Sequence, residues 1–163
     1  MKITILTAIL SFAAVCLPVL SQPIDSVKST TERHKKFDPA ANAHRDIKDA
    51  VVLAKKSNKR IILDVGGEWC PWCHRLDSLF MLNKDINDYL NEHYILVKVN
   101  VSKENKNEAV LSKYPKIEGY PHVFLLNKKG KLIHSQNTGE WEYPENSLVK
   151  GYYKEKVFDF LRK

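Results

Sequence analysis

Apolar positions along the chain change their spacing several times, and each change marks an element. Residues 3–20 form an almost wholly apolar run behind Met1-Lys2, whereas residues 22–37 are polar and without period, which predicts a flexible leader. In residues 39–56, Ile47, Ala50, Val51 and Ala54 fall at helical spacing, so one face of a helix turns inward. Ile61-Ile62-Leu63-Asp64-Val65 reads as a buried strand, broken by Gly66-Gly67. After Pro71, Leu76, Leu79 and Phe80 continue on one helical face. Ile86, Tyr89 and Leu90 place a further helix over residues 85–92. Residues 94–101 read as a second strand and residues 107–113 as a short helix.

Residues 122–126 and 131–136, joined by a turn at Asn127-Lys128-Lys129-Gly130, form a β-hairpin. Val149, Tyr152, Tyr153, Val157, Phe160 and Leu161 suit a closing amphipathic helix over residues 148–161. The order is then α-β-α-β-α-β-β-α. Strands separated by helices imply parallel pairing first, and the hairpin adds an antiparallel edge. The reading is an α/β fold with a central mixed sheet flanked by helices.

Length and composition narrow the class. A chain of 163 residues allows one ordinary domain, here residues 38–163, and its 44% hydrophobic content excludes full disorder. Six Gly and seven Pro show no period, which excludes collagen-like repeats. The 26 Lys+Arg against 19 Asp+Glu are scattered, with no run of five like charges and no basic stripe interleaved with aromatics. That pattern is a solvated surface and argues against nucleic acid as a partner.

The apolar start predicts export. Val19 and Ser21 suit the −3 and −1 positions of a signal-peptidase site, so residues 1–21 read as a signal peptide cleaved before Gln22. An uncleaved anchor is the alternative, and Pro18 with no basic flank weighs against it. Lipidation at Cys16 is disfavoured because Val15 is too large for the residue before it. A periplasmic or secreted protein follows, with membrane contact only through the signal or an anchor. Cleavage removes Lys2 alone from the charged residues, leaving 25 Lys+Arg against 19 Asp+Glu, a net +6. It also leaves Cys70 and Cys73 as the only cysteines.

A lone close pair is poorly suited to stapling, since closing so short a ring removes little entropy from the unfolded chain. Trp69-Cys70-Pro71-Trp72-Cys73-His74 lies where a strand ends and a helix begins. Pro71 fits the first helical turn, which puts Cys70 at the helix N-terminus, where free amides and the macrodipole favour a thiolate. Cys73, one turn further in, is more shielded and can resolve a mixed disulfide that Cys70 forms. Trp69 and Trp72 flank the pair as a docking groove. His74 sits on the solvent side, where an imidazolium would lower the cysteine pKa.

Ile62-Leu63-Asp64-Val65, Glu68-Trp69-Cys70, Cys73 and the later Gly119-Tyr120-Pro121 resemble the thioredoxin family, in the family's order and over most of residues 45–162. The Pro-Trp dipeptide is similar to exported, periplasmic members. The resemblance implies a thioredoxin fold with an extra N-terminal helix. It implies that Pro121 is a cis-proline presenting backbone to an extended client, with Tyr120 before it tuning redox behaviour. It implies that Asp64 is a buried carboxylate moving the Cys73 proton, and that Lys98 is its partner. No cofactor is needed, because the electrons reside in the sulfurs. Two departures stand out. Gly66 replaces a tryptophan of cytosolic thioredoxins, and the helix after Cys73 lacks their kinking proline, so a more open pocket is expected.

The resulting expectation is a monomeric thiol–disulfide oxidoreductase. It would exchange disulfides with client proteins and with a membrane or soluble thiol partner, leaning towards reductant because Asp64 and Lys98 resemble the reducing branch. An oxidant or isomerase is the runner-up. A non-catalytic secreted module binding through residues 140–144 is the alternative from another class. Cys70-Pro71-Trp72-Cys73-His74 also satisfies a c-type haem motif, with His74 as one ligand and Met81 or another His opposite, but the strand before it opposes a mainly helical cytochrome. His93, His122 and His134 show no paired spacing for zinc, so no metal site is expected.

Overall fold

The first helix, α1 (Ala43–Ser57), begins where the Asn42 side chain accepts the Arg45 N–H at 3.0 Å. It ends at Asn58, which adopts the left-handed conformation (φ 56°) that asparagine tolerates. The computed structural model describes residues 36–163; the expected signal peptide and nearly all of the leader lie outside the described residues. Strand β1 (Arg60–Gly66) follows, then helix α2 (Pro71–Leu82), helix α3 (Lys84–His93) and strand β2 (Tyr94–Asn100). Only Asn83 separates α2 from α3. Its N–H closes the first helix on Leu79, and its side chain caps the second by accepting from Ile86 at 3.1 Å. A short helix α4 (Glu108–Leu111), strands β3 (His122–Leu126) and β4 (Leu132–Asn137), a 3-10 turn (Thr138–Trp141) and helix α5 (Lys154–Leu161) complete the chain.

The sheet order is β2-β1-β3-β4. As the alternation of elements predicts, β1 and β2 are parallel, and the β3–β4 hairpin joins antiparallel along the other edge of β1. Strand β1 is therefore central, and every residue from Ile61 to Gly66 is buried. Its side chains alternate between two layers. Ile61, Leu63 and Val65 meet Ala50 and Ala54 of α1, together with Phe124, whereas Ile62 meets Leu76, Phe80, Ile86 and Phe160. Asp64 and Gly66 share the face of Ile62, towards α2. This mixed sheet with helices on both faces is a thioredoxin fold, preceded by the extra helix α1. Among the described residues no helix is long and apolar enough to cross a membrane.

The closing helix is shorter than its apolar spacing predicts. It starts at Lys154, while Leu148 is fully exposed and Val149 largely so. Residues 142–152 form a loop whose ends pair instead. Glu142 bridges Tyr152, the Tyr143 N–H donates to the Gly151 carbonyl at 3.0 Å, and the Tyr153 N–H donates to Trp141 at 2.8 Å. Those backbone bonds compete with a helix, and the buried Tyr152 is held by the bridge rather than by a helical face. Leu148→Ser should therefore change stability by less than about 0.5 kcal/mol. Leu161→Ala, in the core, should cost about 2–5 kcal/mol. Urea unfolding of the two variants checks the contrast.

Candidate active site

Cys70 sits in extended backbone (φ −99°) as the N-cap of α2, with Pro71 in the first turn. Its sulfur accepts the Cys73 N–H at 3.1 Å, satisfying one of the helix's free amides. Cys70 and Cys73 are joined as a disulfide, their Cα atoms 5.2 Å apart. Cys73 is wholly buried and Cys70 is only 2% exposed, so the pair is more enclosed than a simple helix N-terminus requires.

The enclosure has a source outside the cysteine segment. Phe37, at the end of the expected leader, is 1% exposed and forms one buried cluster with the two cysteines, with Trp72 and Tyr120 at the margin. Its N–H donates to Glu68 Oε1 at 2.8 Å. Gly66 makes room for this arrangement: a Cβ there would stand 2.4 Å from Cys73 Sγ and 3.1 Å from Phe37 Cζ. The more open pocket expected from Gly66 is thus overturned. The missing indole is replaced by the Cys73 sulfur and a phenyl ring from another part of the chain. Sequence reading missed Phe37 because one apolar residue in a polar stretch gives no period.

Asp64 is wholly buried, and its Oδ2 accepts from Lys98 Nζ at 2.8 Å. The two residues are opposite in the parallel register of β1 and β2. Lys98 Nζ also donates to Asp77, on α2, whose side chain is partly exposed. Asp77 lies four residues after Cys73 and so one turn along the same helical face. That spacing is the one sequence signal that could have found it. Asp64 Oδ1, by contrast, is buried with no hydrogen-bond partner. Asp64, Lys98 and Asp77 therefore form one charged cluster that ties β1 and β2 to the helix bearing Cys73.

The outer rim is built differently. The Tyr120–Pro121 bond is cis, and Thr138 Oγ1 donates to the Pro121 carbonyl at 2.6 Å. Trp69 is 58% exposed; it meets Tyr120 edge-on at 5.8 Å, and its Nε1–H donates to the Val101 carbonyl. These two rings open a cleft of about 970 Å³ that runs on past Lys103, Lys116 and Ile117. Trp72 turns the other way, half-buried against Tyr152 at 5.3 Å, and its carbonyl accepts from the Tyr152 hydroxyl. The structure thus brings Trp69, Tyr120 and Pro121 to one flank and puts Trp72 on the other. His74 is exposed, and its Nε2–H donates to the Glu68 carbonyl at 2.8 Å, fixing the loop before Cys70. Among the described residues no group of three His, Cys, Asp or Glu side chains could hold a metal ion.

A disulfide at a helix start, a cis-proline and a buried carboxylate on the sheet's central strand stand together as in a thioredoxin fold. The model of the thioredoxin-like domain matches residues 47–155, and the chain belongs to that thioredoxin-like family. Over 154 residues, 94% of this chain, it is 21% identical to the thiol:disulfide interchange protein DsbD of Vibrio cholerae. A 51-residue stretch, 31% of this chain, is 43% identical to spermatogenesis-associated protein 20 of Mus musculus. The chain spans only 24% and 6% of those two curated relatives. A solved disulphide isomerase from Xylella fastidiosa superposes with a TM-score of 0.56 at 28% identity, over 61% of this chain and 76% of that one.

Two expectations follow from the site's packing. Gly66→Ala should destabilise the protein by about 1–3 kcal/mol, because the added methyl must displace Cys73 Sγ and Phe37; urea unfolding measures it. His122, directly after Pro121, is buried with Nδ1 unpartnered, and burial holds its imidazole below the ordinary 6.5, against a smaller opposing pull from Glu118. The folded state then binds fewer protons than the unfolded one, so stability should fall as pH drops below about 6.5 towards the folded value. His122→Asn should flatten that part of the urea-midpoint profile.

Proposed function

We propose that this protein is an exported thiol–disulfide oxidoreductase that reduces disulfides of client proteins through Cys70 and Cys73. The observation that carries the reading is Asp64 Oδ1, a buried carboxylate oxygen with no hydrogen-bond partner, on a side chain joined through Lys98 to Asp77 of the helix that bears Cys73. A polar atom left so is costly unless the site uses it, and a proton leaving the buried Cys73 needs an acceptor that is not bulk water. Lys98 keeps the carboxylate from standing alone as an uncompensated charge.

The exchange balances in two steps. In the reduced protein the Cys70 thiolate attacks one sulfur of a client disulfide, forming a mixed disulfide while the other client sulfur leaves as a thiolate and takes a proton. Asp64 then accepts the Cys73 proton, and the Cys73 thiolate attacks Cys70 Sγ, releasing the second client thiol and closing the Cys70–Cys73 bond. Two electrons pass to the client. A thiol partner, membrane-bound or soluble, returns the pair to the dithiol. Tyr120 and Pro121 would present backbone to the client, and the exposed Trp69 would wall its path. Export rests on the apolar run of residues 3–20 with its cleavage-like end before Gln22, and N-terminal sequencing of the mature protein tests it. Isomerisation is the second reading, favoured by the description of the Xylella relative.

Cys73→Ala should accumulate a mixed disulfide with a client such as insulin, whereas Cys70→Ala should form none; the reverse would exchange the two roles. Asp64→Asn should slow release of the mixed disulfide by roughly a hundredfold. A reduction potential near about −270 mV, followed by tryptophan fluorescence against dithiothreitol, supports a reductant, one near about −180 mV an isomerase and one near about −120 mV an oxidant.

A further inference from the structure

Phe37 makes four contacts that no packing requirement of the sheet demands. Its ring belongs to one buried cluster with the two cysteines. Its Cζ occupies the space that Gly66 leaves beside Cys73 Sγ. Its backbone N–H is fixed by the carboxylate of Glu68, two residues before Cys70. Its face lies 4.2 Å from Lys98 Nζ, within the range of a cation–π contact. The ring therefore joins the resolving sulfur, the ammonium and the active-site loop, although it enters from ahead of the first helix.

We propose that Phe37 is a positioning residue of the redox couple: it seals Cys73 from water and holds the Lys98 ammonium between Asp64 and Asp77. This rests on the exchange reading above. The physical argument is that an ammonium in a dry pocket has few ways to be stabilised beyond its two carboxylates, and an aromatic face supplies a third. The face also blocks the direction from which water would otherwise reach the Cys73 thiol, leaving Asp64 as its proton acceptor. Asp64 from β1 and Asp77 from α2 are the charged groups that face Lys98. Glu68 meets the backbone of Phe37 and holds the ring in place.

Two readouts separate this role from mere core packing. The first is alkylation of the reduced, full-length mature protein by iodoacetamide, read by mass spectrometry as the ratio of Cys73 to Cys70 modification. The second is release of thionitrobenzoate from its mixed disulfide with Cys70, followed against pH, which reports the attack by Cys73. Phe37→Ala should raise the alkylation ratio by about tenfold and move the pH profile of release, as a buried thiol becomes accessible. Phe37→Leu refills the space without an aromatic face. It should restore the alkylation ratio but leave the pH profile displaced. The proposal is overturned if Phe37→Ala changes neither readout beyond about twofold, or if Phe37→Leu restores both. Should Phe37→Ala not fold, Phe37→Leu alone decides through its pH profile. If wild-type protein releases no thionitrobenzoate, the exchange reading itself fails, a result distinct from any effect of Phe37.

Discussion

Lys98 carries an ammonium into a place with almost no water, between Asp64 on the neighbouring strand and Asp77 on the helix that bears the cysteines. Removing such charges from water costs several kcal/mol per ion unless partners are at hand, and removing one partner leaves the others uncompensated. The requirement fixes more than a single contact. It sets the register of β1 against β2, because a slip of one residue would turn Lys98 into the apolar layer of Val97 and Val99. It also sets the rotation of α2, since Asp77 must reach inward. With that rotation fixed, Cys73, one turn earlier, is pressed against the backbone of Gly66. The placement of the disulfide is thus a consequence of where one positive charge can be buried.

Most of the architecture was legible because it is periodic. Helices α1 to α3 and strands β1 to β3 follow apolar runs or regular apolar spacing, and β4 follows from the turn that closes its hairpin. The cysteine pair stood out by its chemistry and its strand-to-helix context. Asp64 and Lys98 were legible only as a pair known from relatives, since one acid and one lysine on two apolar strands say nothing of pairing by themselves. What escaped has a common cause. Phe37 stands ten residues beyond the preceding apolar side chain, Val27, and Asp77 is one acid on an amphipathic helix. Neither has a periodic signature, because each is placed by a tertiary contact. The same holds for residues 148–153, whose apolar spacing suited a helix while their backbone was already engaged with residues 141–143.

The two tryptophans beside the cysteines show how one motif divides its labour. Trp69 keeps most of its surface in water and joins Tyr120 to the cleft. Trp72 faces inward, carries Arg75 over its ring at 4.8 Å, and gives its carbonyl to Tyr152. One indole therefore lines the open cleft, and the other anchors the start of α2 against the segment leading into α5. The helix start is held from three separate parts of the chain: Phe37 ahead of α1, Gly66 at the end of β1, and Tyr152.

The cap of α2 gives the protein a thermodynamic handle. The sulfur that closes the disulfide is also the atom that accepts the Cys73 N–H. A thiolate at that position accepts more strongly than a disulfide sulfur, since charge-assisted hydrogen bonds are the stronger kind, and it faces the positive end of the helix dipole. Around a closed cycle of folding and reduction, whatever steadies the helix in one redox state must appear as a bias towards that state. The first turn of a single helix is therefore where this fold converts conformational stability into electron affinity.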